Sequence, residues 1–238
     1  MVDRGLAASR ERARALILAG QVRVDGATAS KAGTPVAADA EISLIAPDHP
    51  YVGRGGVKLA HALEAFDIDV AGRLALDVGA STGGFTDVML RRGARRVVAL
   101  DVGHGQLDWT LRTDPRVVVL EKVNARTLTP DQLPDDARVF DLVTMDVSFI
   151  SVRQILPAVV PLLASPADVI VLVKPQFEAG RDEVGKGGLV RDAAVQARVV
   201  EEVAAAADAL GLTRVATIES PITGTEGNRE FFLHLRHE

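Results

Sequence analysis

The sequence predicts an α/β protein: a doubly wound, mostly parallel sheet of seven strands, preceded by a small α/β module. Three observations carry that prediction. From about residue 52, short apolar runs alternate with helical patterns. The first of these runs ends in a glycine-rich turn, and the charge balance of the opening segment differs from that of the remainder.

The opening module spans 1–46. Ser9 is placed to cap a helix whose apolar face is Ala13, Leu16, Ile17 and Gly20, at i, i+3, i+4 and i+7. Arg10, Arg12 and Arg14 occupy its other side. Val22 and Val24 alternate with polar neighbours ahead of Asp25-Gly26, the pattern of a strand entering a tight turn. A second strand is expected over Glu41–Ile45. Pro47-Asp48-His49-Pro50 breaks regular structure, which makes 47–53 the expected linker and 54–238 the larger domain.

In that larger domain Arg73–Val78, Arg96–Val102, Val117–Leu120, Phe140–Asp146 and Val169–Val173 are apolar runs with no sustained polar alternation. Strands buried on both faces read this way, so the sheet is expected to be parallel and covered by helices. Helices are expected at 84–92, 105–112, 151–164 and 192–210, the last stopped by Gly211. Strands at 212–218 and 230–236 close the chain. Right-handed crossovers through these elements produce a Rossmann-like domain.

Composition narrows the function. The 238 residues are 47% hydrophobic and 25% charged, an ordinary core-forming balance. No stretch reaches the ~20 apolar residues of a membrane helix, and Met1–Gly5 lacks a signal-peptide core, so a cytoplasmic protein is expected. The chain has no cysteine, which excludes disulfides, thiolate zinc sites, iron–sulfur clusters and a cysteine nucleophile. No metal site is expected. Net charge is −5, yet residues 1–58 carry eight basic and six acidic side chains. A basic module joined to an acidic one fits that asymmetry, as does ordinary surface scatter.

The first buried strand ends in Leu76-Asp77-Val78-Gly79-Ala80-Ser81-Thr82-Gly83-Gly84-Phe85-Thr86. Glycines at a strand–helix junction let a ligand approach the backbone, with a simple packing turn as the competing reading. A P-loop is excluded because Phe85 stands where Lys is required, and the dinucleotide fingerprint fails at Ala80-Ser81. A ligand without phosphates fits better. Asp101 ends the second strand, where a carboxylate can accept both ribose hydroxyls. Asn124 follows the third and can read an adenine edge; Asp146 follows the fourth. Together these positions point to S-adenosylmethionine and methyl transfer.

The acceptor is indicated by what surrounds them. Met145-Asp146-Val147-Ser148-Phe149 lacks the Pro-Pro-aromatic sequence of base-amino methyltransferases. Lys174 directly follows the buried run Val171-Leu172-Val173, a position less comfortable for a surface charge than those of Lys58 or Glu230. Lys58 sits in the glycine-loosened turn Arg54-Gly55-Gly56-Val57-Lys58, and Glu230 in Gly227-Asn228-Arg229-Glu230-Phe231-Phe232.

On the segments Arg54–Leu59, Leu76–Thr86, Ala99–Leu107, Val117–Arg126, Asp146–Ile150, Val173–Glu178 and Gly227–Leu233, the sequence resembles the TlyA family, known both as haemolysins and as ribosomal RNA 2′-O-methyltransferases. The domain is similar to the broader FtsJ-like ribose methyltransferases. Arg4–Glu11 through Val24-Asp25-Gly26 resembles the S4-type RNA-binding module, although the family usually carries a longer segment ahead of Arg4. The resemblance implies a tetrad of Lys58, Asp146, Lys174 and Glu230, with Lys174 taking the proton of a cytidine ribose 2′ hydroxyl and Asp146 orienting it. It also implies an S-adenosylmethionine site of Asp77, Gly79, Ser81, Thr82, Gly83, Gly84, Phe85, Asp101, Val102, Asn124 and Asp146. Contacts to ribosomal RNA or ribosomal subunits are expected from Arg4, Arg10, Arg12, Arg14, Lys31 and Arg54. Two other readings stay open: a methyltransferase for a non-RNA substrate, and a membrane-active haemolysin, for which no hydrophobic segment is present.

Overall fold

The computed structural model describes residues 1–7, 10–18, 20–29, 31–45, 49–224 and 226–238. The cap expected at Ser9, the Arg12 side chain and the Pro47-Asp48 part of the linker lie outside the described residues. The chain divides into two compact units, Met1–Pro50 and Tyr51–Glu238.

In the first unit, helix α1 (Arg10–Leu18) accompanies a three-stranded antiparallel sheet of β1 (Val22–Val24), β2 (Ala27–Thr28) and β3 (Ile42–Leu44), in the order β2-β1-β3. Asp25 and Gly26 both have positive φ, 49° and 80°, as a two-residue primed hairpin turn demands. That turn folds β2 back onto β1, a strand too short to register in the sequence pattern. Among the described residues of this small unit, Ala13, Val22 and Ala40 are buried apolar residues.

The second unit opens with α2 (Gly55–Ala65), followed by β4 (Leu74–Val78), α3 (Gly84–Arg91), β5 (Arg96–Asp101), α4 (Trp109–Arg112), β6 (Val117–Glu121), β7 (Phe140–Met145), α5 (Leu156–Val159), β8 (Leu163–Val173), α6 (Pro175–Glu178), α7 (Ala193–Asp208), β9 (Thr213–Glu219) and β10 (Phe231–His237). The sheet order is β6-β5-β4-β7-β8-β10-β9. The first five strands are parallel to their neighbours, and β10 runs antiparallel to both β8 and β9. Successive strand residues point to opposite faces, and each face is covered. Leu76, Val78, Leu156, Val159, Val200 and Val203 belong to one core, whereas Ala75, Leu59, Leu63, Val88 and Met89 belong to the other. No helix among the described residues is long and apolar enough to cross a membrane.

Three local expectations are corrected. The helix expected at 151–164 is broken into a 3-10 turn, the short α5 and a second 3-10 turn, because Pro157 and Pro161 each lack a backbone donor. Strand β8 then begins at Leu163 instead of Val169. The helix expected at 105–112 shortens to Trp109–Arg112, since Gly105 has φ 69° and Asp108 supplies the cap by accepting from Thr110 N–H. Gly55 and Gly56, expected in a glycine-loosened turn near a helix start, form the first turn of that helix. A Cβ on Gly84 would lie 2.9 Å from Gly56 N, so bare glycine backbones are what bring α2 and α3 together.

Candidate active site

Parallel strands β4 to β8 end on one edge of the sheet, and the polar residues singled out by the sequence stand there: Gly79 and Ser81 after β4, Asp101 at the end of β5, Asn124 after β6, Asp146 after β7 and Lys174 after β8. A cavity of about 360 Å³ opens between the ends of β4, β5, β6 and β7, and Lys174 touches it only through its partners Asp146 and Ser148. Gly79, Ser81, Asp101, Val102, Asn124 and Asp146 line it, joined by Gly103, Gln106, Ser148 and Phe149, which sequence reasoning did not single out. Apolar wall is supplied by Val123, Ile150 and Ile155.

The loop owes its shape to positive φ at Gly79 (87°), Ser81 (48°) and Gly83 (97°). A Cβ at Gly79 would overlap the Asp146 carbonyl oxygen, so this glycine lets the β4 and β7 exits close on each other. Asp101 holds the loop from the side: Ser81 N–H donates to Oδ2 at 2.8 Å and Gly103 N–H to Oδ1 at 2.6 Å. Each carboxylate oxygen retains a lone pair for a further donor. Asn124 accepts the Arg126 N–H through Oδ1 at 3.0 Å, leaving its amide nitrogen to donate.

Five residues expected at the ligand do not line the cavity. Asp77 is fully buried below the loop and accepts hydrogen bonds from the Thr86 hydroxyl at 2.6 Å and the Thr144 hydroxyl at 3.0 Å. Burial pushes its carboxyl up to about 6, against the lowering effect of those two hydroxyls. Thr82 contributes its carbonyl to Asp108 N–H. Gly83 faces Leu107 and Leu111, Gly84 faces α2, and Phe85 packs with its ring 6.2 Å from that of Phe232. These five shape the loop and its packing.

The four residues of the expected tetrad form two ion pairs. Lys174 Nζ lies 2.6 Å from Asp146 Oδ1, with side chains 11% and 21% exposed. Lys58 Nζ lies 2.5 Å from Glu230 Oε2, both buried. Lys58 sits one turn into α2, and a methyl group on Gly55 in the same helix would be 3.9 Å from Asp146 Oδ2, so the Asp146 carboxylate faces the start of that helix. Lys174 also donates to Ser148 Oγ at 3.0 Å.

Behind the pair, Glu178 ties two loops. Its carboxylate accepts from Ser151 Oγ at 2.5 Å and Val152 N–H at 2.7 Å, and Arg153 lies at 3.2 Å. Burial pushes this carboxyl up, and the same donors oppose the shift. The loop carrying Ser148 and Phe149 is thereby fastened to the segment carrying Lys174. Phe149, at φ 66° and 91% exposed, stands with its ring 5.2 Å from that of Phe177.

Of the residues expected to meet RNA, Arg10, Arg14 and Lys31 are exposed on the first unit. Arg4 is instead engaged within it, donating from Nη1 to Ala40 O at 2.6 Å and from Nη2 to Ala38 O at 2.5 Å. Arg54, in the second unit, donates to Thr223 O at 3.2 Å.

Comparison with known proteins places this geometry. The FtsJ-like methyltransferase family matches residues 51–237, and the S4 domain matches residues 1–42. The 16S/23S rRNA (cytidine-2′-O)-methyltransferase TlyA of Mycobacterium tuberculosis is 53% identical over 99% of this chain and 87% of its own length. A solved structure of a candidate hemolysin from Streptococcus thermophilus is 40% identical, covers 98% of this chain and 85% of its own, and superposes with a TM-score of 0.80. The S-adenosylmethionine dependent methyltransferase of Mesorhizobium loti, 15% identical over 78% of this chain and all of its own, shares the fold at a TM-score of 0.53. With both segments matched and more than half its residues shared along almost its whole length with one such enzyme, the chain belongs to the TlyA family of FtsJ-like methyltransferases that carry an N-terminal S4 domain.

Proposed function

We propose that this protein methylates the ribose 2′ hydroxyl of a cytidine in ribosomal RNA, using S-adenosylmethionine as the methyl donor. The observation that carries the reading is the Lys174–Asp146 ion pair at 2.6 Å, whose Asp146 lines the same cavity as Asp101. The cavity chemistry fits that donor. Asp101 offers free lone pairs to vicinal hydroxyls, Asn124 offers an amide donor, and Val102, Val123 and Ile155 offer apolar surface to a purine. When bound, S-adenosylmethionine supplies a methyl group on a sulfonium sulfur that a ribose oxygen can take.

A ribose hydroxyl is a weak nucleophile and must shed its proton as it reacts. Once Lys174 has released a proton and is a neutral amine, its Nζ lone pair receives the ribose proton and the group returns to the ammonium that pairs with Asp146. Lys58 and Glu230 hold the hydroxyl and its sugar in line, which supplies much of the acceleration. The exposed Arg10, Arg14 and Lys31 of the first unit, which the S4 domain matches over residues 1–42, bind RNA phosphates. Relatives named as hemolysins share this fold, and no helix among the described residues is long and apolar enough to cross a membrane.

The test is to map methylated riboses in ribosomal RNA from cells with and without this protein. A cytidine that loses its 2′-O-methyl group when the gene is deleted supports the assignment. Identical maps reject it.

A further inference from the structure

We infer that Ser148 is a positioning residue for Lys174: its hydroxyl accepts a hydrogen bond that restrains the lysine nitrogen beside the Asp146 carboxylate. This deepens the reading above and rests on Lys174 being the proton acceptor.

The argument is geometric. A lysine side chain ends in four bonds to a tetrahedral nitrogen on a flexible stem, and one ion pair alone leaves the group free to rotate about its last bond. Here the Asp146 carboxylate attracts the nitrogen as an ion pair, with Oδ1 at 2.6 Å, and the directed hydrogen bond goes to Ser148 Oγ at 3.0 Å. Ser148 thus supplies the directional restraint that the ion pair lacks, and both Asp146 and Ser148 line the cavity.

Ser148 is itself held. It lies between Asp146 and a neighbour, Phe149, whose φ of 66° turns the chain sharply. Two residues further on, Ser151 and Val152 are clamped by the Glu178 carboxylate, which belongs to the same segment as Lys174. Both ends of the Lys174–Ser148 hydrogen bond are therefore mounted on one cross-braced unit. In the proton transfer the O–H bond of the ribose breaks, its proton joins Nζ, and Ser148 Oγ keeps accepting from a different Nζ–H throughout. Ser148 neither gains nor loses a proton.

The test compares Ser148→Ala, Ser148→Thr and Lys174→Ala on unmodified ribosomal subunits with tritiated S-adenosylmethionine. Misplacement of a reacting group is expected to cost Ser148→Ala on the order of 10- to 100-fold in the single-turnover rate. The rate is read at saturating S-adenosylmethionine, because Ser148 also lines the cavity, and the affinity for subunits and the melting temperature should stay at wild-type values. Ser148→Thr, which keeps the hydroxyl, should recover most of the rate. Independently of turnover, the Lys174 Nζ–H signal in lysine-labelled protein should broaden or vanish in Ser148→Ala and persist in Ser148→Thr. A Ser148→Ala variant at wild-type rate beside a slow Lys174→Ala overturns the role of Ser148 alone. Wild-type rates in both overturn the assignment of Lys174 as well. Equal losses in Ala and Thr at saturating S-adenosylmethionine overturn the hydroxyl as the positioning group.

Discussion

The Lys58 ammonium lies 2.5 Å from Glu230 Oε2, joining the first helix of the methyltransferase unit to the head of its last antiparallel strand, and both side chains are buried. A buried pair of this kind stabilises little in net terms, because desolvation offsets the attraction, but losing one partner strands the other. Glu230→Ala should therefore destabilise the protein by about 3–5 kcal/mol in urea unfolding. Lys58→Met combined with Glu230→Leu should regain most of that stability while methylation stays low. If the single variant unfolds at the wild-type midpoint, the pair has no structural weight and its place here is purely one of substrate contact.

Asp101 is braced by two backbone donors, so its position is set before any ligand arrives. Asp101→Ala should weaken S-adenosylmethionine binding in calorimetry. Saturating donor at one hundred times its dissociation constant raises wild-type stability by about 2.7 kcal/mol, and the variant at the same concentration should gain far less. Equal affinities would remove Asp101 from the ribose site.

Asp77 should mark the pH dependence of stability. Its folded-state carboxyl is raised to about 6 by burial, above the ordinary aspartate value of 3.8. Between those values the folded protein holds a proton that the unfolded chain has released, so stability falls as pH rises through this window. The cost of the ionised form approaches 3 kcal/mol, on the order of 1.36 kcal/mol for each unit of difference. Asp77→Asn should flatten the denaturation midpoint between about pH 4 and 6 relative to wild type. An unchanged slope would mean that Asp77 does not carry it.

The contrast between Asp77 and Asp101 shows where the sequence could be read and where it could not. Strands buried on both faces are uninterrupted apolar runs, so their carboxyl ends at Gly79, Asp101, Asp146 and Lys174 were legible, and with them the cavity edge. Which way a side chain leaves a strand depends on neighbours distant in sequence. Asp77 turns inward because Thr86 and Thr144 meet it there, and nothing adjacent in the chain announces this. Ser148 was likewise hidden, since its approach to Lys174 depends on the positive φ of the following Phe149 and on the Glu178 clamp. The glycines at 55 and 56 read as a turn near a helix start, but their close approach to Gly84 depends on packing that the local sequence does not announce.

In the S4 unit the arginines should separate into two kinds. Arg10 and Arg14 are exposed and should bind phosphate, so changing both to Ala, with Arg12, should reduce affinity for ribosomal RNA and its salt dependence together, by roughly 0.7 in slope for each phosphate no longer neutralised. Arg4 donates to two backbone carbonyls, and Arg4→Ala should lower the stability of this unit more than that of the methyltransferase unit. Filter-binding titrations across a salt series check the first, and differential hydrogen exchange of the two units checks the second. Retained affinity in the triple variant would make that helix face a solvated surface only.

Lys174 should be the residue on which the chemical step depends, and two substitutions separate its possible roles. Ala deletes both the proton acceptor and the charge paired with Asp146. Arg keeps the charge yet cannot accept a proton, since guanidinium stays protonated below about pH 12. General acid–base catalysis is worth roughly 10²–10⁴-fold, so a base at this position requires both variants to lose that much in single-turnover methylation of ribosomal RNA. Their binding of S-adenosylmethionine should persist, because the cavity walls and the Asp101 brace lie on other strands. A purely electrostatic lysine, which would only complement Asp146, requires instead that Arg restore most of the rate. Near-normal turnover in the Arg variant therefore eliminates proton acceptance, and near-normal turnover in Ala eliminates Lys174 from the chemistry.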